Sequence, residues 1–196
     1  MAKATAKATA KATAKATAKA TAKATALRMS RVWAMPNRWT FKVPPLLDIV
    51  LRYRHDGERW LDPFAGYHSP AEVTNDLNPK APTQYHMEAL RFVHRASRGG
   101  LQFEGAIMDP PYSLTQVSRN YAALGIEQWG KDNPTGGFSE VRDALTQAIV
   151  RGGHVISFGW NSVGQGKGRG FTLIEVLLCC HGGHRHDTIV VVERKL

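Results

Sequence analysis

Cysteine is scarce in this chain, long apolar runs are missing, and outside one repeat neither sign of charge is in large excess. The 196 residues include two cysteines, the adjacent Cys179 and Cys180 of the strand-like stretch FTLIEVLLCC. Neighbours on a strand point to opposite faces, which rules against their pairing and excludes a disulfide scaffold. Free thiols suit a reducing compartment, so a cytoplasmic location is expected. No stretch reaches the roughly 18 apolar residues of a spanning helix, and the N-terminus has no apolar signal core. No membrane partner is expected.

What is present first is a repeat. Residues 2–25 are six copies of AKAT, so the part able to bury a core starts near Leu27 and has the length of one domain. The chain divides into a low-complexity basic tail, residues 1–26, and a folded domain, residues 27–196. Of 26 basic residues the repeat holds six, which leaves 20 against 16 acidic ones. Most of the basic excess therefore belongs to the tail. Lysine at every fourth position resembles arms that neutralise phosphates without reading sequence, and a simple-sequence expansion accounts for it equally well. Alanine favours helix while threonine and lysine repulsion oppose it, so the tail is expected to be disordered or weakly helical.

Beyond the tail, apolar spacing alternates between the two periods of regular structure. Pro44 and Pro45 suit a first helical turn ahead of Leu46, Leu47, Val50, Leu51 and Tyr53, which predicts a helix over 45–54. ERWLDPFAG reads as a buried strand stopping at Asp62, and AEVTNDLNP as a second one ending at Asp76. A helix starts by Glu88 and ends by Gly99. FEGAIMD is a third strand, closed by Asp109. Ser113 caps a helix ending at Gly125, IEQWGKDNPTGG is a polar loop, and a further helix spans Ser139 to Arg151, stopped by Gly152 and Gly153. HVISFGW is a buried strand, NSVGQGKGRG a flexible basic loop, and FTLIEVLLCC and TIVVVERK form an antiparallel hairpin. The fold class is α/β, with a mostly parallel sheet and a C-terminal antiparallel hairpin. Three strands end in an acid, and ligands of such sheets sit beyond the carboxyl ends of the strands.

The stretch AIMDPPYS carries the chemistry. An exocyclic amine on a nucleobase is a poor nucleophile, because its lone pair is delocalised into the ring. Two fixed acceptors on its hydrogens favour a pyramidal nitrogen. The Asp109 carboxylate supplies one, and the Pro110 carbonyl supplies the other, held by consecutive prolines that fix the backbone. Tyr112 offers a face for stacking on the base, which must leave a duplex to reach it. DPPY after a buried strand, preceded by DPFAG and NDLNP after two earlier strands, resembles the amino-group DNA methyltransferases of the adenine-N6 type. The resemblance runs from about Val32 to Lys195. It implies a Rossmann-like methyltransferase sheet, S-adenosyl-L-methionine as cofactor, DNA as partner and adenine N6 as acceptor. By that resemblance Asp62, Pro63, Phe64, Ala65 and Gly66 wrap the methionine end of the cofactor, Asp76 holds the ribose hydroxyls and Leu77 lies on the adenine. Asp109, Pro110, Pro111 and Tyr112 match the catalytic motif without substitution. MPNRWTFK falls where related enzymes place a segment over the cofactor, which adds Asn37, Thr40 and Phe41. Glu88 falls near an acid that relatives place by the adenine.

Two features depart from that pattern. Only Tyr67 to Glu72 separate Gly66 from Val73, and the link from Leu77 to about Thr83 is as short, too short for helical crossovers. One face of the sheet then needs cover from the 45–54 helix or from another subunit, which makes a homodimer an expectation. There is also no separate recognition domain, so loops 126–137 and 161–170 are the candidates for reading DNA, with Lys167 and Arg169 on phosphates. Trp160, at the end of HVISFGW, is a candidate to enclose the target base. Trp33, Trp39 and Phe158 are expected in the core. CCHGGHRHD lacks the spacing of a metal knuckle and reads as a hairpin turn; no metal is expected. Cytosine N4, an RNA base, or an inactive nucleic-acid-binding relative are the alternative readings.

Overall fold

The computed structural model describes residues 26–125, 137–183 and 185–196. The AKAT tail and most of the 126–137 loop lie outside the described residues. In chain order the elements are β1 (Arg28–Trp33), α1 (Pro44–Tyr53), β2 (Trp60–Asp62), β3 (Val73–Thr74), α2 (Ala89–Ala96), β4 (Phe103–Met108), α3 (Leu114–Ala123), α4 (Gly137–Ala148), β5 (Ile149–Gly159), β6 (Phe171–Cys180) and β7 (Thr188–Lys195). They form one seven-stranded sheet in the order β1-β6-β7-β5-β4-β2-β3. Only β7 runs against its neighbours; the pairs β1–β6, β5–β4, β4–β2 and β2–β3 are parallel. This is the expected mixed, Rossmann-like α/β sheet with its C-terminal hairpin.

Alternation along β4 and β5 builds two cores. Ile107 and Ile156 face one way and meet Leu46, Ile49 and Val50 of α1, together with Leu177 and Val190. Ala106, Met108 and Val155 face the other way and meet Phe92 and Val93 of α2 and Val141 and Leu145 of α4. Each such large side chain, fully buried, contributes about 1.5–3 kcal/mol. α1 thus supplies the cover that the short links around β3 do not. It is anchored at its end as well: the fully buried Glu175 accepts from Arg52 Nη1 at 2.6 Å and from the Tyr53 hydroxyl at 2.6 Å. Arg28 of β1 adds an ion pair at 3.5 Å. Burial, and then the Glu175 carboxylate, push the Tyr53 phenol up to about 12.

Several expectations are corrected. The last helix does not reach Arg151: it ends at Ala148, and β5 begins at Ile149, paired with Phe103. Gly152 and Gly153 lie inside the strand where its register against β4 shifts. Gly152 has φ +82°, and a Cβ on Gly153 would stand 2.7 Å from the Glu104 carbonyl oxygen. The glycines therefore permit a bulge and a close strand approach rather than stopping a helix. The helix also starts two residues early, at Gly137. β1 was not legible, because its residues are almost all exposed and show no buried face. Trp33 lies on that edge, 61% exposed, and is not core. The second strand is shorter than expected, Val73–Thr74, prolonged by a bridge between Asn75 and Tyr85.

Candidate active site

The chain passes from β2, next to one edge of the sheet, outward to β3 at that edge, and crosses back to β4 on the other side of β2. That reversal opens a crevice at the carboxyl ends, where ligands of open α/β sheets sit. A cleft of about 1620 Å³ occupies the place, walled by the segments 36–41, 63–68, 75–78, 87–91 and 109–113 and by parts of α3, α4 and the β6–β7 turn. Of the sequence-derived candidates, Asn37, Thr40, Phe41, Pro63, Phe64, Ala65, Gly66, Asp76, Leu77, Asp109, Pro110, Pro111, Tyr112 and Trp160 all border it. Asp62, Lys167 and Arg169 do not. Among the described residues, no helix is long and apolar enough to cross a membrane.

Asp62 lies beneath the cleft, with none of its surface exposed. Its Oδ1 accepts from the Phe64 N–H at 2.9 Å and its Oδ2 from the Ser69 hydroxyl at 2.6 Å, so it shapes the loop from below. Burial raises its pKa to about 7, with Asp109 and Asp76 adding repulsion, while its two hydrogen bonds pull the other way. The loop above is held by Asp76, whose Oδ2 accepts from the Gly66 N–H at 2.9 Å and whose Oδ1 accepts from Asn78 N–H at 2.7 Å. Gly66 has φ +56°, a conformation that favours glycine.

Asn75, which sequence reasoning passed over beside Asp76, is 1% exposed and links three segments. Its Nδ2 donates to the carbonyls of Pro63 and Met87 at 3.0 and 2.9 Å, and its Oδ1 accepts from the Met87 N–H at 3.1 Å. Its backbone closes the loop further, through Asn75 N–H to Asp62 O and Ala65 N–H to Asn75 O. Phe64 meets Phe138 of α4 edge-on at 5.4 Å. Nothing in the sequence pattern marks either contact.

Asp109 follows β4 and is half-buried. Burial raises its pKa, and hydrogen bonds from Thr40 and Tyr112 lower it again. Thr40 therefore reaches the DPPY motif itself. The Tyr112 hydroxyl donates to Asp109 Oδ1, the Tyr112 N–H donates to Gln116 Oε1 at 2.6 Å, and Ser113 caps α3 as expected. Tyr112 stands edge-on to Trp160 at 5.8 Å, and its own phenol is pushed far up, by burial first and then by the Asp109 charge. Phe41 and Phe158 meet edge-on at 5.5 Å in the core behind.

Trp39, expected in the core, instead stands half-buried on the cleft wall against Tyr67 at 4.6 Å, with the Arg38 guanidinium 4.3 Å above it. Asn37 Oδ1 accepts from the Trp39 N–H, turning that segment over the cleft. Glu88, just before α2, borders the cleft as well; burial raises its pKa, and the Tyr121 hydroxyl donates to it at 3.5 Å. Arg169 is bound to Asp143 at 2.6 Å and to Ser139 at 2.9 Å, on α4.

No protein-family model matches the chain, and no curated protein does. Similar solved structures include TrmN from Thermus thermophilus, 18% identical over 79% of this chain and 49% of that one, with a TM-score of 0.45. This chain thus spans about half the length of that protein. They also include the N-methyltransferase NodS from Bradyrhizobium japonicum WM9 in complex with S-adenosyl-L-homocysteine, 10% identical over 70% of this chain and 78% of that one, TM-score 0.44. A SAM-dependent methyltransferase from Agrobacterium tumefaciens is 12% identical over 77% and 60%, TM-score 0.46. The likeness is one of overall fold.

Proposed function

We propose that this protein transfers a methyl group from S-adenosyl-L-methionine to the N6 amine of adenine in DNA, the base being turned out of the duplex. One observation carries the reading: the Asp109–Tyr112 motif opens into the same cleft as the Pro63–Gly66 loop and Asp76. A cleft of about 1620 Å³ exceeds the roughly 300–1,000 Å³ of a single small-molecule pocket, which leaves space for a cofactor and a base together.

The residues present fit the cofactor. Gly66 brings backbone close to the cleft at a φ that favours glycine, and each Asp76 oxygen, already accepting one backbone N–H, keeps a lone pair for a ribose hydroxyl. Asp76, Glu88 and Asp109 suit a cationic ligand. Bound there, S-adenosyl-L-methionine supplies an electrophilic methyl group, so the chain's own task is alignment. The Asp109 carboxylate has roughly four acceptor positions. Tyr112 and Thr40 fill two of them, and the remainder can take an amine hydrogen. The Pro110 carbonyl takes the other, and the Tyr112 and Trp160 rings offer faces to the base.

Nucleoside analysis of DNA from cells expressing the protein, beside the Asp109→Ala variant, tests acceptor and site together. N6-methyladenine that disappears with Asp109→Ala is the expected result. A methyl group on cytosine N4 or only in RNA transfers the site to that acceptor. No methyl transfer by a protein that binds the cofactor overturns the reading.

A further inference from the structure

The cleft has a wall that the methyl-transfer alignment leaves unused: the turn between β6 and β7. Its base is tightly held. His181 is 8% exposed; its Nδ1 lies 3.0 Å from the Ala34 carbonyl, which can only accept, so Nδ1–H donates, and its Nε2 is hydrogen-bonded with the Thr188 hydroxyl at 3.0 Å. The His181 N–H donates to Asp187 Oδ1 at 2.9 Å. Gly182 and Gly183, with φ +67° and +61°, reverse the chain beyond it.

On this base stand Arg185 and His186, both exposed and both bordering the cleft. His186 stacks on Trp160 with ring centroids 4.1 Å apart and planes tilted by 36°. Trp160 in turn meets Tyr112. A row of rings therefore leads outward from the DPPY motif and ends at His186, whose chain neighbour Arg185 also borders the cleft. Among the described residues no carboxylate is paired with Arg185. Packing does not explain the row, because Trp160 remains 36% exposed. Nucleotides have this same alternation of flat apolar faces and anionic links.

We propose that the β6–β7 turn is a DNA clamp: Arg185 holds a phosphate next to the target nucleotide, and the Trp160–His186 stack supports a neighbouring base. The clamp rests on the methyltransferase reading for which base enters, and it supplies part of the grip that a separate recognition domain gives elsewhere. Its anchored base costs little ordering on binding, since His181 and Asp187 already fix where the turn leaves the sheet.

The test is direct binding by the full chain to short fluorescein-labelled duplex and single-stranded DNA across a salt series, with cofactor affinity measured in parallel. Arg185→Ala is expected to weaken DNA binding and to lower the salt slope by about 0.9, one phosphate's share, while Arg185→Lys keeps the slope. His186→Ala is expected to weaken binding several-fold with the slope unchanged. Cofactor affinity stays at the parent value in all three. Parent affinity and slope in Arg185→Ala, loss of cofactor binding in that variant, or a parent that binds only RNA overturns the clamp. DNA binding that responds as expected without any methyl transfer upholds the clamp and removes the catalytic reading alone.

Discussion

The Tyr112 hydroxyl donates a hydrogen bond to Asp109 Oδ1, so two residues of the DPPY motif are tied together before any substrate arrives. The bond keeps the tyrosine ring beside the carboxylate and offsets part of the burial that raises the Asp109 pKa. Under the proposed function, this bond sets a stacking surface and an acceptor for one amine at a fixed separation.

Tyr112→Phe retains the ring and removes the donor. With one lowering influence lost, the Asp109 pKa rises further. The carboxylate then protonates at higher pH, and the acidic limb of the pH profile of kcat/KM should move upward while cofactor affinity holds. An unmoved limb would show that Asp109 ionisation does not control the reaction.

Asp62 makes stability depend on pH in the direction opposite to a salt-bridged acid. Its folded pKa of about 7 lies above the ordinary aspartate value of 3.8, so the folded state binds the proton more tightly than the unfolded one. Stability should fall as pH rises from about 4 to about 7, and stay at its reduced level above that window. Thermal melts at pH 5 and pH 8 should show the difference, and Asp62→Asn should shrink it. An equal slope in both proteins would remove Asp62 as its source.

Gly66→Ala places a Cβ at φ +56°. The strain is expected to cost on the order of 1 kcal/mol and to disturb the N–H that Asp76 holds. Calorimetry should then find weaker S-adenosyl-L-homocysteine binding in both Gly66→Ala and Asp76→Ala. Parental affinity in the pair would move the cofactor away from this loop.

Gly105→Ala probes packing rather than chemistry. A Cβ at Gly105 would run into the Trp60 indole, which has none of its surface exposed. Overpacking of this kind typically costs about 1–3 kcal/mol, so urea denaturation should show a lower midpoint. A smaller side chain at position 60 should restore part of the loss.

Much of this arrangement was readable one segment at a time. The helix behind Pro44 and Pro45, the Ser113 cap and the three strands that lead to Asp62, Asp76 and Asp109 follow from local rules of periodicity, capping and turn formation, although only β2 ends in its aspartate. The DPPY segment could be assigned a chemistry because it is contiguous. Asn75 could not, since its role lies in joining Pro63 to Met87 across space. Gly152 and Gly153 looked like a helix stop because a bulge beside β4 has no local signature. β1 escaped notice because an edge strand with exposed residues lacks the alternation by which buried strands are recognised.

Apart from β1 and the start of β5, the sequence by itself determined which segments are helix or strand and where acids, prolines and glycines interrupt them, because those choices depend on neighbours a few residues apart. Only the tertiary structure decided that Asp76 and Asp109 share a cleft wall while Asp62 sits buried beneath it, and that Trp160 meets a histidine from the far hairpin. Strand order and side-chain burial depend on contacts between residues distant in the chain, and such contacts leave no period in the sequence to read.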